Sequence, residues 1–196
     1  FPMAGLDVDA SGNKMVVDTL GGLEAKVFGF VSWDQNDSYV KPGSSMKFEG
    51  GHLLVTDHDA LDFNTDYYVN VRFKVDGDSQ DGDRVILRKG SNTSNGYELR
   101  LVRNAGATFL QARVSTDQGD FTAISVVPVA KGAWYLAGLQ LKNGILTMGV
   151  DGERVSVAAP GLPNNTGFAS KLIIGEGFLG NINELKIGQL HSSRVS

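Results

Sequence analysis

Half of the aspartates fall between positions 57 and 83: Asp57, Asp59, Asp62 and Asp66 flank one strand start, and Asp76, Asp78, Asp81 and Asp83 crowd the segment DGDSQDGD. Carboxylates packed this densely repel one another, and a hard cation such as Ca²⁺ relieves that repulsion by gathering about six to eight oxygens. The spacing is not that of an EF-hand, because counting from Asp76 puts Asp81 at the sixth position, where that loop requires Gly, and no Glu at the twelfth. Asp and Gly at these positions serve the turn geometry of a solvated hairpin equally well. The three histidines, His52, His58 and His191, lie apart without ligand spacing, and His58 is expected in a turn. No Gly-x-Ser-x-Gly elbow, phosphate loop or dinucleotide fingerprint is present.

A second kind of chemistry is the stacking of sugar rings on exposed aromatics, with hydroxyls fixed by Asn, Asp or a bound cation. Trp33 and Tyr39 in the polar stretch SWDQNDSY, Tyr68 on the polar face of its strand, and Phe178 at a loop tip are the candidate ligand-binding residues. Each could equally close an edge of a sandwich, and Trp134 is expected to pack in the core. Asn183 raises a different question. In NINELKI, alternation places Asn183 with Leu185 and Ile187 on one face, and Ile182 with Glu184 and Lys186 on the other. A polar group in that position is read as structural, tying the last strand to a neighbouring loop.

The elements that must carry these residues are strands. In YYVNVRFKV, Val69, Val71, Phe73 and Val75 share one face, and Tyr68, Asn70, Arg72 and Lys74 the other. Similar short strands follow to the end of the chain, separated by turn signals, and Asn143-Gly144 in LQLKNGILTM predicts a type I′ hairpin. No segment holds a helical period over three turns. The first 45 residues mix short apolar runs with Asp, Ser, Asn and Gly, and are read as an edge strand and long loops.

Composition agrees with an all-β fold. The chain has 196 residues, 41% hydrophobic and 20% charged, with 25 glycines, which suits one globular domain rich in tight turns. A net charge of −4 with scattered Lys and Arg argues against nucleic acid as a partner. The absence of cysteine removes disulfides, thiolate metal sites and a cysteine nucleophile. No apolar run approaches the roughly 20 residues that span a bilayer, so membrane insertion is not expected. The start FPMAG, without an initiator Met, is read as a processed protein or an excised domain.

One ordered series of pieces is more specific than any of its members. DASGN at 9–13 leads to SSMKFEGGHLLVTDHDALDF at 44–63, then YYVNVRFKV, VILRKG at 85–90, YELRLV, GAWYLAGLQLKNGILTMGVDGERV at 132–155, and finally LIIG and GNINELKIG. The series resembles the laminin G-like, concanavalin A-like jelly roll, a two-sheet antiparallel sandwich. The likeness covers about residues 7–188 of a single domain spanning 1–196. Asn183 stands where that family has Asp in Gly-x-Ile-Asp-Glu. The placement of LIIGEG ahead of the last strand is also similar to the pentraxins, which share the fold. That resemblance implies a calcium site formed by Asp81 and Asp83 ahead of VILRKG together with Glu176 in IIGEG.

Glycan hydrolases share the jelly roll. The retaining ones set carboxylates on one strand face about 5 Å apart, typically as Glu-x-Asp-x-Glu. None of Glu24, Glu49, Glu98, Glu153, Glu176 or Glu184 has an acid two positions later, so no enzyme is expected. The resemblance implies a lectin-like module binding a glycan at a loop rim with the help of Ca²⁺, outside the cell, at a cell surface or on a phage particle. A structural or protein–protein module of such an assembly, binding a surface protein, is the alternative. Sequons at Asn36, Asn92 and Asn164 suit a secreted protein and are also common by chance.

Overall fold

The computed structural model describes residues 3–8, 14–18, 23–41, 43–76, 84–90, 95–164 and 170–190. Sixteen strands form there. The first six are β1 (Met3–Val8), β2 (Lys14–Asp18), β3 (Glu24–Phe28), β4 (Val31–Asp34), β5 (Ser45–Glu49) and β6 (His52–Val55). The next five are β7 (Tyr67–Val75), β8 (Arg84–Lys89), β9 (Tyr97–Asn104), β10 (Ala107–Thr116) and β11 (Gly119–Ile124). The last are β12 (Trp134–Lys142), β13 (Ile145–Val150), β14 (Glu153–Ala158), β15 (Leu172–Ile174) and β16 (Leu179–Gln189). They pair antiparallel into a nine-stranded sheet, in the order β1-β2-β3-β6-β15-β8-β9-β10-β11, and a seven-stranded sheet, β14-β13-β12-β7-β16-β5-β4. The two faces pack as the expected jelly-roll sandwich. Among the described residues no helix is long and apolar enough to cross a membrane.

β7 shows why the sequence makes this fold. Its inward residues Tyr67, Val69, Val71, Phe73 and Val75 are all buried, while Tyr68, Arg72 and Lys74 are half-buried and Asn70 exposed on the outer face. β-branched and aromatic side chains fit that pleated, one-sided surface. Across the sandwich Leu53, Ile86, Leu99, Leu110 and Val114 meet them with no more than a trace of exposure. Asn143 and Gly144 adopt φ of 49° and 71°, the type I′ turn that their sequence predicts between β12 and β13.

The segment formed by the first 45 residues corrects the sequence reading. Instead of an edge strand and long loops, it supplies four strands. β1 and β2 finish one edge of the nine-stranded sheet, β3 pairs with β6, and β4 closes the seven-stranded sheet against β5. These strands are short and carry little alternation of their own, so their ladders come from partners distant in sequence. The one helical turn among the described residues is a 3₁₀ turn at Asp59–Leu61, capped by His58, whose Nδ1 accepts the Ala60 amide at 3.1 Å.

β16 departs from simple alternation as well. Asn183 lies opposite Arg72 of β7, and the next registered pair is Lys186 with Asn70, so Glu184 and Leu185 together face the single residue between. Glu184 takes φ 47°, and this extra residue is a β-bulge. Ile182 and Leu185 therefore both point into the core, at 0% and 1% exposure, while Asn183 is on the outer face. The expected grouping of Asn183 with Leu185 and Ile187 fails because the bulge resets the period between them.

Candidate functional site

The outer face of the seven-stranded sheet can be read in rows across the strands. One row runs Arg154, Gly149, Gly138, Asn70, Lys186, and the row beside it Ser156, Thr147, Gln140, Tyr68, Gly188. Two adjacent glycines leave the middle of the first row without side chains. The result is an open groove of about 550 Å³ with Gly138 and Gly149 as its floor. Tyr68, Gln140 and Thr147 line one side and Leu136, 42% exposed, the other. From β14 to β16 the row crosses five strands, a length of about 19 Å at ordinary strand spacing.

Gly138 and Gly149 are not equivalent. A Cβ on Gly138 would lie 2.5 Å from the Val69 carbonyl oxygen, so the close approach of backbone requires glycine there. A Cβ on Gly149 would meet nothing nearer than the Glu153 carbonyl oxygen at 3.5 Å. The Arg154 stem crosses this second glycine, with its Cγ 3.8 Å from the Cβ position.

Further along the strands the same face is covered by the 35–41 segment. Asp34 starts it, its Oδ1 accepting the amides of Asn36 and Asp37 at 3.0 and 3.1 Å, an Asx turn. The Asp37 carboxylate then accepts from Lys74 Nζ and, at 2.9 Å, from Trp134 Nε1. Burial pushes the Asp37 carboxyl up, but the hydrogen bonds from Lys74 and Trp134 outweigh it and hold the group below the usual carboxylate range. For Lys74 burial acts downward, and the bonds to Asp37 and Asp76 outweigh it, so the ammonium is held above its ordinary range. Tyr39 lies over the Arg72 guanidinium at 4.6 Å and edge-on to Trp134 at 6.4 Å. Arg72 also pairs with Glu184. Beneath the segment Asn181, 0% exposed, donates to Ser45 Oγ at 2.9 Å and to Asp34 Oδ2 at 3.2 Å.

The sequence-derived candidates separate accordingly. Tyr68 lines the groove, and Tyr39 stands at the covering segment, 38% exposed. Trp33 faces inward and packs against the core, opposite Met46. Phe178 is not at a loop tip: it is fully buried, edge-on to both Phe48 and Phe73 at 6.2 and 6.4 Å, and is unavailable to a ligand. Trp134 is on the outer face under the covering segment, where its indole N–H finds Asp37, and not in the core. Asn183 Nδ2 donates to the Ser44 carbonyl at 2.6 Å. Asp37, Lys74 and Asn181 were not singled out by sequence. The alternation of β7 places Lys74 on the outer face, but nothing local identifies its partner.

Asp81 and Asp83 lie outside the described residues. Glu176 is half-buried and its Oε2 accepts from Arg88 Nη2 at 2.6 Å, while its carbonyl accepts the Val85 amide at 2.9 Å. Its loop therefore runs beside the start of β8, the strand that follows Asp83. Among the described residues no three His, Asp or Glu side chains converge as metal ligands. Other acids of the dense run have protein partners. Asp57 and Asp62 flank the fully buried Lys89 Nζ at 2.8 and 2.7 Å, Asp66 accepts the Asn143 amide at 3.0 Å, and Asp76 lies 3.1 Å from Lys74.

Solved structures place this architecture among known ones. Domain 4 of AbnA, a GH43 extracellular arabinanase from Geobacillus stearothermophilus, in complex with arabinotriose, is 16% identical with a TM-score of 0.66, over 88% of this chain and 85% of that one. The binding domain of botulinum neurotoxin DC in complex with rat synaptotagmin II is 14% identical with a TM-score of 0.61, over 97% of this chain and 49% of that one. Tailspike protein 2 from Escherichia coli O157:H7 bacteriophage CAB120 is 16% identical with a TM-score of 0.55, over 76% and 23%. The chain thus spans about half the length of that toxin domain and less of the tailspike, and at these identities the likeness is one of fold. No curated protein sequence matches it. The sequence profile of the Concanavalin A-like lectin/glucanases superfamily matches residues 48–195, from β5 through the last strand of both sheets, and the chain belongs to that superfamily.

Proposed function

We propose that the chain is a non-catalytic, lectin-like recognition module that binds an oligosaccharide in the groove across the seven-stranded sheet. The observation that carries this reading is the glycine floor between amide and hydroxyl side chains: Asn70, Gln140 and Thr147 offer hydrogen bonds to sugar hydroxyls, and Tyr68 and Leu136 offer apolar contact. A trough that crosses β14, β13, β12 and β7, about 14 Å at ordinary strand spacing, suits a short chain of sugars better than a single ring. Among the described residues the groove lining holds no Asp, Glu or His, so these supply neither a carboxylate pair nor a general base for hydrolysis. Arabinotriose on the arabinanase domain is a precedent for an oligosaccharide on this fold.

Calcium is a separate part of the proposal. Asp81 and Asp83 would join Glu176 at the start of β8, and the ion would have to compete with Arg88 for the Glu176 carboxylate. A glycan-array screen with Ca²⁺ and with chelator, on wild type and on Gly149→Val, tests both parts. Binding lost in Gly149→Val places the glycan in the groove, and binding lost with chelator adds the ion. Glycan binding unaffected by Gly149→Val would sink the groove reading.

A second reading is favoured by the β3–β4 hairpin. There Phe30 is 78% exposed and Phe28 stacks on His52 at 5.2 Å, an apolar tip of the kind that docks on protein. Under it the chain is a structural or protein–protein module of a surface, secreted or phage-particle assembly, and a folded sample silent on every glycan supports it.

A further inference from the structure

Charge distinguishes this groove from the rest of the molecule. The protein carries a net charge of −4, yet among the described residues the groove lining contains Arg154 and no carboxylate. Arg154 is held across the sheet from Gly149 with its stem on the glycine, and no acid lies within ion-pair distance of it among the described residues. The carboxylate of the turn before it, Asp151, is engaged elsewhere, accepting the Leu136 amide at 2.8 Å. At the other end of the row stands Lys186, 3.8 Å from Glu184, and Glu184 also serves Arg72. Two cations share one carboxylate at that end, so both ends of the row keep positive charge. A guanidinium presents a planar fork that matches a carboxylate with two parallel hydrogen bonds, a geometry that a neutral sugar hydroxyl does not use.

We propose that the groove selects a carboxylate-bearing oligosaccharide, such as a uronic acid oligomer, with Arg154 reading the carboxylate. The inference rests on the groove being the glycan site. Arg154 determines specificity, and the glycine floor and amides hold the neutral part of the chain. The charge-assisted bond also makes binding sensitive to salt, because Arg154 is exposed and screened within about 8–10 Å at ordinary ionic strength.

The test uses the whole chain and titrates oligogalacturonate, oligomannuronate and hyaluronan oligosaccharides, each beside its carboxyl-reduced counterpart. An acidic member is expected to bind more tightly than its reduced form, and Arg154→Gln is expected to weaken it by about tenfold or more, a far larger change than for the reduced form. Equal binding of acidic and reduced forms, or no effect of Arg154→Gln, overturns the charge selection even if Gly149→Val still abolishes binding. If Gly149→Val leaves binding intact, or no member binds at all, the groove reading falls and the selection with it.

Discussion

Lys74 donates from Nζ to the Asp37 carboxylate, and this contact fastens the 35–41 segment onto the outer face of the seven-stranded sheet. Trp134 adds a second donor at 2.9 Å on the other oxygen of the same carboxylate. Asp37→Ala removes the common acceptor, leaving the Trp134 indole N–H without its partner and Lys74 with Asp76 alone. Buried donors left unmatched cost about 1–3 kcal/mol, so the melting temperature is expected to fall by roughly 4–8 °C for a 2 kcal/mol loss. A thermal melt equal to wild type would show that the segment is held by other contacts.

The same pair sets a pH window. The folded Asp37 carboxyl titrates below its ordinary 3.8, so its contribution is present above that pH and is lost as pH falls through the lower folded value. The folded Lys74 titrates above 10.5, so its contribution is present below that pH and is lost as pH rises through the higher folded value. Tyr97 adds to the alkaline side. Burial, with lesser effects from Tyr67 and Asp62, raises it well above 10.0, so the unfolded chain releases its proton first and stability falls as pH rises past that value. The stability difference between wild type and Asp37→Ala should stay flat across neutral pH and narrow below 3.8. Denaturant midpoints measured from pH 3 to pH 7 check this, and a difference that narrowed near pH 6 would contradict it.

Much of this architecture is legible in the sequence, and the exceptions share a cause. The outer row Tyr68, Asn70, Arg72 and Lys74 follows from the alternation of β7, because a half-buried strand writes its burial into every second residue. The turn at Asn143-Gly144 follows from the positive φ it requires. Phe178 reads wrongly because its glycine-rich surroundings signal a turn, and only the packed structure shows the ring entering between Phe48 and Phe73. The bulge at Glu184 has no mark in NINELKI, since an extra residue is defined only against its partner strand. Lys74 and Asp37 meet because the 35–41 segment folds over the outer face of the sheet, and no local pattern names such partners. The Asn143-Gly144 hairpin sets Gly138 opposite Gly149, but the sides of the groove come from β7 and β14, and only the assembled sheet brings these together.

Asn183→Leu tests the role of the residue that interrupts the final strand. The wild-type amide donates to the Ser44 carbonyl at 2.6 Å from a half-buried position, and leucine keeps the bulk without the donor. A loss of about 1 kcal/mol is expected, or roughly 2–4 °C in melting temperature. No change would mean that the Ser44 loop is secured elsewhere.

Lys89→Met should cost more. The ammonium is fully buried between Asp57 and Asp62 and donates to the Ser170 carbonyl at 3.1 Å, so it joins the β6–β7 connection to the segment before β15. Methionine matches the stem but leaves two carboxylates facing each other, one of them largely buried. Removing one partner of such a set costs about 3–5 kcal/mol, and chemical denaturation should show a loss of that order with an unchanged slope. A nearly neutral substitution would mean that the two acids reach water once the ammonium is gone.

The two floor glycines give the sharpest contrast between folding and function. At Gly138 any side chain meets the Val69 carbonyl oxygen at 2.5 Å, and that backbone belongs to the central strand β7, which cannot retreat without disturbing its pairing with β16. Gly138→Ala is therefore expected to lower stability by about 1–3 kcal/mol. At Gly149 the nearest atom is 3.5 Å away and the backbone φ is not in the left-handed region, so valine fits the strand and fills the trough. Gly149→Val should melt at or above the wild-type temperature, because replacing glycine in a strand removes unfolded-state freedom, yet bind no oligosaccharide. A variant that kept both its melting temperature and its glycan would move the binding site off this face, whereas one that lost both would show that the floor is needed for the sheet itself.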